Sequence, residues 1–160
     1  MIEQIEPAHR AALAAVAALM REYQVSLGVP LFMQQIEAEL AALPGAYAAP
    51  SGALFGARDA AGTWIGCVAV RAGPAAQSGQ RIAELKRLYV LPSARGNGAA
   101  RGLVDAALAF ARGAGYTQIV LDTLPDMHGA QTLYTRYGFV DIPPYTTTTI
   151  PGTRFMGLRL

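Results

Sequence analysis

The sequence predicts a mixed α/β fold, with helices packed on the faces of a mixed sheet, in one domain over residues 1–160. Three observations carry that expectation. Helical and strand-like segments follow one another in the order β-α-α-β-β-β-α-β-α-β-β. The helical period is sharpest over 98–113, where Leu103, Val104, Ala107, Leu108 and Ala111 share a face. No repeat, charge block or domain-separating linker interrupts the chain, and a chain of 160 residues buries roughly 70% of its unfolded surface as one unit.

Residues 1–6 read as a first strand. Pro7 opens a helical pattern carrying Leu13, Val16, Met20 and Tyr23, broken at Gly28-Val29-Pro30. A second helix is expected over 31–43, stopped by Pro44-Gly45, and 48–52 is a loop. Residues 53–58 and 63–71 look like antiparallel strands around the turn Asp59-Ala60-Ala61-Gly62. The stretch 73–80, rich in small and polar residues, reads as a flexible connection. A strand over 82–90 closes at Leu91-Pro92. After the helix at 98–113 come a buried strand at 118–121 and a short helix at 127–137 stopped by Gly138. Strands at 139–142 and 154–160 finish the chain.

Composition excludes several classes. The apolar fraction is 52%, and the mean hydropathy of +0.27 owes much to alanine. The longest apolar stretch, 11–20, is too short for the ~20 residues a bilayer span needs. Arg10, set against Glu3 and Glu6, makes no basic leader, so a cytoplasmic location is expected. The net charge of +2 is spread along the chain, Lys86 is the single lysine, and no basic run with interleaved aromatics marks a nucleic-acid surface. The lone Cys67 excludes an internal disulfide and a multi-cysteine site, and His9 and His128 lack ligand spacing, so no metal is expected.

The most informative segment is Arg95-Gly96-Asn97-Gly98-Ala99-Ala100-Arg101, between a strand and the strongest helix. A helix start presents unpaired N–H groups and partial positive charge. Glycines at Gly96 and Gly98 let backbone approach a bulky anion, and Arg95 and Arg101 add full charges, which together make a phosphate cradle. The alternative is a glycine-rich turn entering an alanine-rich helix. A P-loop needs Gly-Lys-Ser/Thr, and a dinucleotide fingerprint needs glycine or alanine where Arg101 stands; neither fits.

The spacing resembles the acyl-CoA loop of the GNAT acetyltransferases, Gln/Arg-x-x-Gly-x-Gly/Ala, with Arg95, Gly98 and Ala100 on the fixed positions. Ala83-Glu84-Leu85-Lys86-Arg87-Leu88-Tyr89-Val90-Leu91-Pro92 is similar to the strand before that loop. Leu133-Tyr134-x-x-x-Gly138-Phe139 resembles the family's last helix and following strand. The resemblance runs in order over 82–142. It implies the GNAT acyl-CoA N-acyltransferase fold, whose central sheet is mostly antiparallel, and acetyl-CoA as co-substrate.

By resemblance, the strand before the loop splays from its neighbour around a bulge, Leu88, Tyr89 and Val90 expose backbone to the pantetheine arm, and Gly96, Asn97 and Ala99 complete the pyrophosphate loop. Acetyl transfer to an amine needs removal of a proton from a group of pKa ~10, support for an oxyanion, and protonation of a departing thiolate. Glu84 stands where several members carry the general base, acting through water; a salt bridge with Lys86, two residues along, is the alternative. Tyr134 matches the tyrosine beside the CoA sulfur; the alternative is packing under Gly138-Phe139. Tyr137 is a second contender. Many members carry asparagine where this chain has Met127. Asp122 suits either orienting a cationic amine or capping a turn, and Asp126 suits an N-cap. His9 and His128 read as solvated, Cys67 as a small core residue, Trp64 as structural, and Tyr23 and Tyr145 as substrate walls by analogy.

The expected reaction is transfer of acetyl from acetyl-CoA to a primary amine by direct attack. Its alternatives are a longer acyl-CoA donor and a non-catalytic acyl-CoA-binding domain. The expected partners are acetyl-CoA and an amine acceptor, with no nucleic acid and no membrane; a homodimer is compatible with the chain.

Overall fold

A computed structural model describes residues 1–75 and 79–160. The chain runs through β1 (Ile2–Gln4), α1 (Arg10–Leu27), α2 (Pro30–Ala41), β2 (Ala53–Arg58), β3 (Trp64–Ala72) and β4 (Ile82–Val90). It continues through α3 (Ala99–Gly113), β5 (Gln118–Thr123), α4 (His128–Arg136), β6 (Val140–Asp141) and β7 (Arg154–Arg159). The expected element order is observed. The connection expected at 73–80 lies partly outside the described residues, at 76–78.

Local chemistry sets several boundaries. The first helix begins at Arg10, not just after Pro7, because 7–8 form a turn before it. It ends at Gly28, whose φ of +66° is left-handed backbone that glycine takes without a Cβ clash. Pro30 then opens α2 at its first position, where a missing N–H loses no helical bond. The last sheet elements are shorter than expected: β6 keeps only two residues, at the sheet edge.

Among the described residues the strands form one seven-stranded sheet in the order β1-β2-β3-β4-β5-β7-β6. Neighbours are antiparallel except β4 and β5, which are parallel. One face of the sheet is covered by α3, whose Leu103, Val104, Ala107, Leu108 and Ala111 are all buried with Phe55, Val68 and Ile119. The other face carries α1, with Val16, Leu19 and Met20 packed on Leu54, Cys67 and Ala69. Burying a large apolar side chain in such a layer contributes ~1.5–3 kcal/mol, which is why the periodic faces of α1 and α3 turn inward.

Two irregularities in β4 open the middle of the sheet. Its parallel ladder with β5 runs only from Ile82 to Glu84, after which β5 continues alone with β7 to Thr123. Its register with β3 also slips: Cys67 faces Tyr89 but Ala69 faces Lys86, so β4 holds one extra residue. That bulge contains Arg87 at φ +60°, a left-handed conformation that is uncommon outside glycine.

Candidate active site

Where β4 and β5 part, a cleft of about 1200 Å³ opens between the two helical layers. Residues 84–90 of β4 line it, Leu88, Tyr89 and Val90 among them, and Asp122 and Thr123 line it from β5. Beyond Glu84 the β5-facing side of β4 has no ladder partner. Those N–H and C=O groups need partners, so this length of backbone is suited to pair with an extended, amide-bearing ligand.

At one end of the cleft lies the loop before α3. Gly96 and Gly98 have φ of +82° and +86°, and a Cβ built on either meets nothing within 4 Å, so the loop faces open space. Gly98 is the N-cap of α3, and its carbonyl accepts the first intrahelical bond, from Gly102 N–H at 3.0 Å. The Ala99 N–H is held by Asn97 Oδ1 at 3.0 Å. By helix geometry, the N–H groups of Ala100 and Arg101 then remain without intrahelical partners, pointing toward the loop's open side. Arg95 donates from Nε to the Val90 carbonyl at 3.2 Å, tying the loop to β4, and Arg95 and Ala100 line the cleft. Gly96, Asn97, Gly98, Ala99 and Arg101 sit outside its lining. Helix-start dipole and nearby arginine charge make this rim favourable for an anion.

At the opposite end, four charged groups form a chain. Glu84, 6% exposed, receives Arg71 Nη2 at 3.3 Å on both oxygens and lies 3.1 Å from Lys86 Nζ. Lys86 also lies 3.2 Å from Asp122 Oδ1. The salt bridge to Lys86 therefore exists, but inside the cleft rather than on a strand surface. Two cations alternate with two carboxylates, so this end carries no formal net charge. Removing Glu84 would take the partner from Arg71, and removing Lys86 would take it from Asp122, whereas losing either end of the chain leaves the other three groups paired.

Tyrosines line the walls from both layers. Tyr134 on α4 is 5% exposed, packs 5.6 Å from Phe139 and lines the cleft. Burial, with lesser contributions from Tyr23 and Asp122, pushes its phenol well above the usual value of 10. Tyr23 on α1 stacks on Tyr89 at 5.4 Å, and its hydroxyl reaches Met127 Sδ at 3.7 Å; burial pushes it up to about 12. Tyr145 also lines the cleft; its buried hydroxyl has no hydrogen-bond partner, and burial raises its pKa. Tyr137 is committed elsewhere, its hydroxyl lying 2.5 Å from Asp105 Oδ1 and 3.0 Å from the Arg101 carbonyl, where it ties α4 to α3.

Some expectations shift. Asp126 does not cap α4: Met127 is the N-cap, and Asp126 instead accepts the His128 N–H through its backbone carbonyl. Met127 Sδ takes both the Tyr23 and Thr123 hydroxyls at 3.7 Å, filling the place where asparagine was expected with a weak acceptor. His9 and His128 are exposed. Cys67 is fully buried, and burial pushes its thiol up to about 12. Trp64 lies under the Arg58 guanidinium, 4.0 Å from its carbon. Sequence reasoning missed Arg71, whose partnership with Glu84 depends on strand register. It also missed Gln24, 1% exposed and lining the cleft with an unpartnered Nε2. Apolar Leu31 and Phe32 of α2 also line the cleft. Among the described residues, no three His, Cys, Asp or Glu side chains cluster to hold a metal, and no helix is long and apolar enough to cross a membrane.

A mostly antiparallel sheet parted beside its one parallel pair, with a glycine loop feeding the adjoining helix, is the architecture of the acyl-CoA N-acyltransferases. The profile of the Acetyltransferase (GNAT) family matches residues 14–139. An N-acetyltransferase of Schizosaccharomyces pombe is 37% identical over 142 residues, 89% of this chain and 85% of that protein. The chain belongs to the GNAT acetyltransferase family and is an acyltransferase. An acetyltransferase of Streptococcus agalactiae shares the fold at a TM-score of 0.78 and 22% identity, covering 100% of this chain and 98% of that one. The NatC complex, solved with Gag peptide and CoA, contains a chain that matches at 0.76 and 20% identity, covering 100% and 98%. Rat and mouse proteins named N-acetyltransferase 8 or 8F1 also match, and the matched stretch spans about a third to a half of their length, from 34% to 47%.

Proposed function

We propose that this protein transfers an acetyl group from acetyl-CoA to a primary amine by direct attack. The observation that carries the reading is the unpaired length of β4, which runs from the anion-suited loop at Arg95–Arg101 to the charged chain around Glu84. Among proteins of this fold, the NatC complex was solved with CoA. A diphosphate suits the N–H groups of Ala100 and Arg101 and the charge of Arg95, and an amide-bearing arm suits the backbone of Leu88, Tyr89 and Val90. The thioester then faces the middle of the cleft, between Tyr134 and Asp122.

The residues divide the chemistry. Asp122 orients the incoming ammonium. Glu84 accepts a proton from it through water, the free amine attacks the carbonyl carbon as the C–S bond breaks, and the second proton leaving nitrogen passes through water to replace the one that Tyr134 gives to sulfur. Backbone N–H of β4 supports the charge developing on oxygen. Tyr134, whose phenol burial keeps protonated, gives its proton to the departing sulfur.

The test is a panel of amines, from small metabolites to peptide N-termini, incubated with acetyl-CoA while free thiol is followed. Release that depends on one class of amine, with acetylated product by mass, is expected. A protein that binds acetyl-CoA yet turns over none of the panel would be the non-catalytic acyl-CoA-binding domain instead. Faster turnover with butyryl-CoA would favour a longer acyl donor.

A further inference from the structure

We propose that α2, which lines the cleft, forms a wall for the acceptor, and that Arg87 is a positioning residue whose ion pair with Glu39 fastens α2 to the β4 bulge that opens the donor side. The proposal rests on the acyl-transfer reading of the cleft. Arg87 sits at the extra residue of β4 with φ +60°. Glycine would take that backbone without strain, so the turn of the chain does not by itself call for a long cationic side chain.

The side chain has a definite task. Its Nε donates to Glu39 Oε1 at 2.9 Å and its Nη2 to Oε2 at 2.6 Å, a bidentate fork. The buried Tyr47 donates its hydroxyl to the same Oε1 at 2.7 Å. Burial alone would raise the Glu39 carboxyl, but Arg87 and Tyr47 outweigh it and hold the group below its usual range. Both charged side chains are mostly covered, at 18% and 23% exposure, so screening by water is limited.

The tie matters because α2 has little else to hold it to the sheet. It packs chiefly on α1, with Ile36 its one fully buried residue. Its N-terminal half carries Leu31, Phe32 and Gln35 on the cleft. On the other side of the tie, Lys86 and Leu88 flank Arg87 and line the cleft too. One fork therefore sets the distance between the acceptor wall and the donor strand.

Arg87→Gly is the decisive variant, since it suits the bulge backbone and removes the fork, leaving Glu39 with Tyr47 alone. The KM for a responsive amine should rise by roughly tenfold, the effect of a small misplacement of a binding wall, while the KM for acetyl-CoA stays within about twofold. Glu39→Gln, milder for folding, should shift the same constant in the same direction, and the double variant should add little to Arg87→Gly. Equal rises in both KM values would mean general loosening and would overturn the proposal, as would no change in either. Hydrogen exchange supplies a readout independent of any acceptor. Amides of α2 should exchange faster in Arg87→Gly while those of α3 are unchanged, and unaltered α2 exchange would also overturn the tie. If no amine is acetylated by the unmodified protein, the acyl-transfer reading fails, and exchange still decides whether the fork holds α2.

Discussion

Tyr134 and Glu84 show how differently two residues of one cleft are equipped. Tyr134 is surrounded by apolar groups and Phe139, and burial holds its proton firmly. Glu84 is surrounded by charge, between Arg71 and Lys86. If Tyr134 is the proton donor, Tyr134→Phe should leave acetyl-CoA affinity nearly unchanged while turnover falls ~10²-fold, the lower end for general acid catalysis because a thiol of pKa ~8.5 leaves tolerably unaided. The pH dependence follows from the direction of the shift. A phenol raised above 10 keeps its proton through the range from about pH 6 to about pH 10, so the ratio of the two rates should not collapse on the alkaline side. Equal turnover would make Tyr134 a packing residue. Both residues stood out in the sequence because each stands in a stretch that resembles a family motif. Arg71 did not, being brought to Glu84 only by the pairing of β3 with β4. The left-handed turn at Arg87 had no signal either, since nothing in an arginine announces positive φ.

At the scale of elements, the loop and α3 form the unit most legible in the chain. The buried stripe of α3 could be read from its 3.6-residue period, because a helix that covers a sheet must repeat its apolar residues on one side. The buried strand read at 118–121 runs on through Asp122 to Thr123, which the sequence also puts at its end, because β7 continues to pair with it. The N-cap of α4 was misassigned because Asp126 offers its carbonyl rather than its carboxylate. Gly98→Asp tests the loop. Open space beside Gly98 accommodates the Cβ, though its φ of +86° costs about 1–2 kcal/mol for a side chain, so the variant should still fold. Its carboxylate would repel a diphosphate at the start of α3, and acetyl-CoA binding followed by titration calorimetry should be lost. Tight binding by a folded Gly98→Asp protein would show that the loop serves another purpose.

For the whole molecule, the order of elements was legible in the chain itself, and the parting of the sheet only through the family resemblance. The opening arises because β4 and β5, separated in sequence by α3, share a ladder only as far as Glu84, a matter of three-dimensional register. A ligand occupying that opening touches both sheet halves and both helical layers, so its binding should be visible in global stability. Acetyl-CoA at a hundredfold excess over its dissociation constant should add ~2.7 kcal/mol and raise the melting temperature. A folded sample whose melting is unmoved by millimolar acetyl-CoA would remove the premise of donor binding.

The unladdered stretch of β4 is, in effect, an edge strand placed in the interior of a sheet. Edges are where foreign chains add on, and proteins ordinarily blunt them with charge, brevity or cover. Here the cover comes from both sides, Tyr23 reaching in from α1 and Tyr134 from α4. A β-strand would need room for side chains on both faces, whereas a chain that bears amides without side chains needs only the backbone's own thickness. An edge covered from both sides in this way favours a thread over a strand.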